Sequence, residues 1–97
     1  MKKEKTNRGF EYVEFKDIYD QKCSIQKSSL ASEDAIWFGV DDANPKILAS
    51  SIKEGGTGWV KYDIPEQVLL STRMHLTRKQ VKQLLPYLKR FARTGKL

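Results

Sequence analysis

Residues 77–95 admit few folds. Thr77 is followed three positions later by Gln80. At that spacing a threonine hydroxyl and a glutamine side chain satisfy open N–H groups at a helix start. Val81, Leu84, Leu85, Leu88, Phe91 and Ala92 then recur at helical spacing and form one apolar stripe. Gly95 stands where a left-handed C-terminal cap belongs. Pro86 falls inside the stripe, where it removes a backbone hydrogen bond and crowds the preceding turn. The stripe stays in phase across it, so the expectation is one helix kinked near Pro86 rather than two short ones. Such a helix cannot bury its own stripe, so its apolar side is expected to cover one face of a sheet.

The rest of the chain supplies that sheet with period-two patterns. Val68, Leu70, Thr72, Met74 and Leu76 share one face, expected to be core; Leu69, Ser71, Arg73 and His75 share the other. Phe10, Tyr12, Val13 and Phe15 read as strand, with a slip between Tyr12 and Val13 that suggests a bulge. Asp17 and Asp20 mark a turn. In Lys22–Lys27, Cys23 and Ile25 alternate with Ser24 and Gln26, so residues 9–15 and 22–27 form an antiparallel hairpin. Residues 28–34 read as a loop or one helical turn. Ala35–Val40 is almost wholly apolar and reads as a central strand buried on both faces. Residues 41–58, with Asn44-Pro45 and Gly55-Gly56-Thr57-Gly58, read as a long loop. Trp59–Tyr62 reads as a short edge strand. Residues 1–8 are polar and expected to be disordered. The fold class is α+β: one domain over residues 1–97, an antiparallel sheet of four to five strands, then one C-terminal amphipathic helix. At 97 residues one modest core is affordable and two are not.

Charge points to a class of ligand. Residues 68–97 carry eight Lys or Arg and no Asp or Glu, about +8, whereas the remainder is at about −2. An anionic partner fits that asymmetry: a nucleotide, a nucleic acid or an acidic protein surface. Apolar runs reach about six residues, far short of the ~20 that cross a bilayer. The charged start lacks an apolar h-region, so no secretory leader is expected. The lone Cys23 cannot form an internal disulfide, and a cytoplasmic setting follows.

Arg73 and His75 are the sharpest site candidates. They share a strand face, and they combine a planar fork for phosphate with a group that donates or accepts near neutral pH. The alternative is that they pair with Glu11 or Glu14 on the wet side of the sheet. Lys27, Ser28 and Ser29 resemble polar loop chemistry that holds phosphate, although no P-loop motif is present. Trp37 and Trp59 can each be core or stack on a ligand; the apolar neighbours of Trp37 favour core for it, and Trp59, after the glycine-rich loop, is the better stacking candidate. Arg78, Lys82, Lys89 and Arg93 fall within about 60° of one another on a helix and form a basic surface; a solvated face is the competing reading. Cys23 with His75 lacks an orienting group for thiol catalysis, and a single His and a single Cys fit no standard zinc pattern. No catalytic residue, metal or cofactor is assigned, and the chain is read as a non-enzyme.

The segments CSIQKSSLASEDAIWFGVDD and RMHLTRKQVKQLLPYLKRFARTG resemble a small protein family recurrent in bacteriophages and prophages. The resemblance spans roughly residues 10–97 and rests on Cys23–Leu30, Ile36–Gly39, Arg73–Thr77 and Phe91–Leu97. It implies a phage accessory protein in a bacterial host cytoplasm, and it carries context rather than mechanism. Three alternative functions compete. The first is a counter-defence protein that sequesters an anionic signalling nucleotide. The second is a single-strand nucleic-acid-binding dimer, since a sheet followed by a kinked helix resembles the coactivator-type single-strand binders at the level of fold. The third is a protein inhibitor of a host factor. A homodimer is expected, because a small sheet with open edges and one helix leaves apolar surface uncovered.

Overall fold

A computed structural model describes residues 1–53 and 55–97. Glu54, inside the expected 41–58 loop, lies outside the described residues. Packing divides the chain into two compact units: residues 1–41 with 73–97, and residues 42–72.

The first unit is a five-stranded antiparallel sheet followed by one helix. Its strands are β1 (Lys2–Lys5), β2 (Glu11–Lys16), β3 (Lys22–Lys27), β4 (Ala35–Val40) and β7 (Arg73–Thr77), paired in that order. Each neighbour is antiparallel. The helix α1 runs from Arg78 to Thr94 with Pro86 inside a single segment. The α+β class and the C-terminal helix are therefore as the sequence implies.

Register sorts the sheet into two faces. Tyr12, Gln26, Trp37 and His75 lie in one cross-strand row, with Glu14, Ser24, Gly39 and Arg73 in the next row on the same side. That face is polar. Val13, Ile25, Phe38 and Met74 form a row on the other face, with Phe15, Cys23 and Val40 beside it. Phe15 and Phe38 meet edge to face there, 6.1 Å between centroids.

Several expectations are corrected. Residues 1–8 are not a loose leader: Lys2–Lys5 pair with β2 through a turn in which Gly9 takes φ +83°. That left-handed conformation is cheap only for glycine. No bulge separates Tyr12 from Val13, whose pairing with Gln26 and Ile25 is continuous. The strand simply begins after Phe10, so Tyr12 and Val13 fall on opposite faces. Ala35–Val40 is central but not buried on both sides; only Ala35 is buried, and residues 36–40 are half-buried. The nine-residue alternation of 68–76 becomes strand only from Arg73. Val68 and Leu70, assigned to the core, are exposed, as is Met74 at 54%.

The larger departure is α1. Both bonds of the capping box form: Gln80 N–H donates to Thr77 Oγ1 at 3.2 Å, and Thr77 N–H donates to Gln80 Oε1 at 3.0 Å. Gly95 closes the other end at φ +75°, donating its N–H to Phe91 O. Yet no residue of α1 is buried. Only Val81 is half-buried; Leu84, Leu85, Leu88 and Phe91 are 42–56% exposed. The reason is the junction. Thr77 is the last residue of β7 and the N-cap of α1, so no loop residues exist to turn the helix back over the sheet.

The second unit folds around a short hairpin, whose first strand lies inside the expected loop 41–58 and whose second is the short strand expected at 59–62. β5 (Lys46–Leu48) pairs with β6 (Trp59–Lys61), and a 3-10 turn at Ala49–Ser51 follows β5. Ala49 is buried, and its N–H donates to Gly58 O at 2.9 Å.

One polar cluster fastens β2, β3 and β4 at the end where β4 stops. Ser24 Oγ, fully buried, donates to Asp41 Oδ1, and Tyr12 Oη donates to Asp41 Oδ2 at 3.0 Å. Lys22 Nζ lies 4.0 Å from the same carboxylate and 3.3 Å from Glu14. Burial of the phenol, then its bond to Asp41, pushes the Tyr12 pKa up from the ordinary 10.0. A raised folded-state value means that the stabilisation is complete below pH 10.0 and fades as pH rises through the folded value. Tyr12→Phe is therefore expected to cost about 1 kcal/mol at neutral pH through the lost hydrogen bond. It should also flatten the alkaline limb of a stability–pH curve, measured by urea denaturation.

Candidate functional site

The polar face carries its chemistry around Trp37. Gln26, Trp37 and His75 are directly opposite one another on β3, β4 and β7. The His75 ring lies flat on the indole, 3.9 Å between centroids and 5° from parallel. Its Nε2 is 2.9 Å from Ser28 Oγ. Two rings opposite each other on paired strands stack because their Cβ atoms are about 5 Å apart.

Arg73 stands one row away, opposite Gly39. Glycine offers no side chain there, and beyond it lies the small, buried Ser24. The guanidinium thus passes over β4 and donates from Nη1 to Gln26 Oε1 at 2.9 Å. Its Cζ sits 5.7 Å from the Trp37 ring centroid, within cation–π range. Trp37 is held by a cation and an imidazole supplied by the same neighbouring strand.

Next to this cluster is a cavity of about 310 Å³, lined by Thr6, Asn7, Arg8, Phe10, Gln26, Lys27, Ser29 and Trp37. Arg8 reaches it from the β1–β2 turn, its Cζ 5.5 Å above the Phe10 ring. The lining combines an indole, a guanidinium, two carboxamides and two hydroxyls. Such a set suits a small planar ligand with an anionic group: ring stacking, amide readout of an edge, and a fork for phosphate or carboxylate.

The residues singled out from sequence are placed unevenly. Arg73 and His75 share the polar face, and neither pairs with Glu11 or Glu14, because β2 and β7 are separated by two strands. Ser29 is exposed at the cavity. Ser28 is 5% exposed and its hydroxyl already accepts the Leu30 N–H at 3.2 Å, besides its contact with His75. Lys27 Nζ is held by Asp34 Oδ1 at 2.9 Å, and Asp34 Oδ2 also lies 4.0 Å from Arg78. Trp59 belongs to β6 in the other unit, exposed at 65%. Lys82, Lys89 and Arg93 are exposed along α1. Trp37, read as core, is instead the centre of the cluster. Arg8, Asn7 and Gln26 were not picked out; the alternation Ser24, Gln26, Ser28 was the signal, since any side chain paired with Gln26 had to share its polar face.

Cys23 and His75 lie on opposite faces of the sheet, which separates the thiol from the imidazole. Burial pushes the Cys23 thiol pKa up, away from a reactive thiolate. Among the described residues no group of three or more His, Cys, Asp or Glu side chains is placed to hold a metal ion. Among the described residues no helix is long and apolar enough to cross a membrane. Comparison with family models, curated proteins and solved structures finds no match for this chain.

The hydrogen bond and charge of Lys27 hold the Asp34 carboxyl below its ordinary value of 3.8. A lowered value contributes stability above pH 3.8 that is lost as pH falls through the folded value. In a carboxylate NMR titration Asp34 should ionise below that value, and Lys27→Met should return it upward. An Asp34 titration unchanged by Lys27→Met would show that the pair does not persist in solution.

Proposed function

We propose that this chain is a binding protein, not an enzyme, and that it holds an anionic, nucleotide-like ligand on the polar face of the five-stranded sheet. The observation that carries the reading is the Trp37 cluster with its adjoining cavity. Three strands and the β1–β2 turn converge there on an aromatic ring, two arginines and two carboxamides. No side chain in the cluster is arranged as an activated nucleophile: Ser28 beside His75 is buried and committed to the Leu30 turn. In this reading the base packs against the exposed part of Trp37, Gln26 and Asn7 meet its edge, and Arg8 and Arg73 take the phosphate. Lys27 and Ser29 border the same site. In the phage setting that the sequence resemblance implies, the protein acts by sequestering a signalling nucleotide in the bacterial cytoplasm.

A second reading, binding of single-stranded nucleic acid, draws support from α1, which exposes six Lys or Arg residues and contains no acid. Salt separates the two. Each phosphate contact adds about 0.7 to the slope of log affinity against log salt for a single strand, so a strand tracking α1 gives a steep slope and a nucleotide a shallow one.

The test is calorimetry against mononucleotides, cyclic di- and trinucleotides and short oligonucleotides. Tight binding of one nucleotide class is expected, with Arg8→Ala and Arg73→Ala each weakening it by roughly tenfold or more. Arg93→Ala should leave it unchanged. No heat and no thermal shift across the whole panel would sink the reading.

A further inference from the structure

Arg73 decides which end of the Gln26 side chain can meet a ligand. A guanidinium carries N–H donors and no acceptor, so the part of an amide that faces it must be the oxygen. Arg73 Nη1 donates to Gln26 Oε1 at 2.9 Å, reaching across β4 from β7. The turn residues of the cavity, Thr6, Asn7 and Arg8, lie on the β1–β2 side of Gln26, away from β7. With its oxygen turned toward β7, Gln26 presents its NH2 to the cavity.

The neighbouring groups are donors as well. Thr6 Oγ1 accepts the Phe10 N–H at 3.1 Å, which leaves its hydroxyl proton for a ligand. Arg8 and Lys27 are cationic, and no Asp or Glu is among the lining residues. The His75 ring covers one face of the Trp37 indole, so a ligand ring stacks on the other. We propose, building on the nucleotide reading of this cavity, that the site selects a 6-oxopurine over a 6-aminopurine. Gln26 Nε2 donates to the purine O6 or N7, and Arg73 is the positioning residue that fixes this polarity.

A glutamine with both ends free reads adenine by accepting from N6 and donating to N7. Here Arg73 holds the accepting end. An adenine turned to Gln26 would bring its N6 amino group against the NH2, donor against donor, and a donor stripped of water without a partner costs more than its bond would have gained. Guanine and hypoxanthine present acceptors at both O6 and N7, which the NH2 matches. A purine, being bicyclic, also removes more of the indole from water than a pyrimidine does.

Calorimetry of the full chain should compare purines that carry an oxo or an amino group at C6: inosine with adenosine monophosphate, and cyclic di-GMP with cyclic di-AMP. In whichever class binds, the oxo purine is expected to bind roughly tenfold or more tighter. Gln26→Glu leaves one carboxylate oxygen on Arg73 and turns the other, an acceptor, to the cavity, so the preference should reverse. Arg73→Met frees the amide to rotate, and the ratio of the two affinities should fall toward one, beyond any loss common to both ligands. Equal affinity for the two purines, an amino preference, or a Gln26→Glu variant that keeps the oxo preference would each overturn the proposal while nucleotide binding itself stands. No binding by any of the four ligands would remove the nucleotide reading and the selectivity with it.

Discussion

The register of β4 between β3 and β7 is the constraint on which the molecule turns. Because side chains alternate strictly, pairing Gln26 with Trp37 and Trp37 with His75 assigns every other residue of three strands to a face. A slip of one residue would carry Trp37 to the apolar side and Phe38 to the polar side. The Asp41 carboxylate, bonded to Ser24 and Tyr12, resists that slip at one end. The Ser28 N–H, donated to Ala35 O at 2.9 Å, resists it at the other. A buried hydroxyl such as Ser24 without its acceptor costs about 1–3 kcal/mol, so the wrong register is penalised by polar groups as well as by packing.

Burial follows an unusual division. Among the described residues, the buried ones are Cys23, Ser24, Ser28, Ala35 and Ala49, all small. The large apolar side chains of the sheet, Val13, Phe15, Ile25, Ile36 and Phe38, are half-buried, and those of α1 past Val81 are exposed. The polar face is tied by hydrogen bonds while the apolar surfaces stay partly wet. Transfer of apolar area from water is the dominant stabilising term in most folds. Here much of that area stays in contact with water in the single chain.

What could be read from the sequence was whatever rested on local chemistry. The Thr77–Gln80 box and the Gly95 cap are decided within a few residues, and both formed at the expected positions. The β2–β3 hairpin followed from alternation around Asp17 and Asp20. β1 escaped because KKEK has no apolar pattern; its pairing is imposed by the Thr6–Gly9 turn and by β2. Trp37 was misplaced because Ala35–Val40 is apolar at nearly every position, which hides the period of two. Its face is fixed only by the polar residues of β3. The alternation of 68–72 was real in the letters but had no strand beside it to complete. The docking of α1 was beyond reach for a different reason: helical spacing says which side of a helix is apolar, not whether the chain can bend back to use it.

The direct join at Thr77 has a mechanical meaning. With no spacer, the azimuth of α1 about its axis is geared to the last peptide of β7. An α-helix turns 100° per residue, so one residue inserted between Thr77 and Arg78 would swing the apolar stripe by about that angle, to where the row of Arg78, Lys82, Lys89 and Arg93 had faced. The sheet therefore acts as the protractor for α1. Anything that bends or twists β7 re-aims the surface that α1 presents along its length.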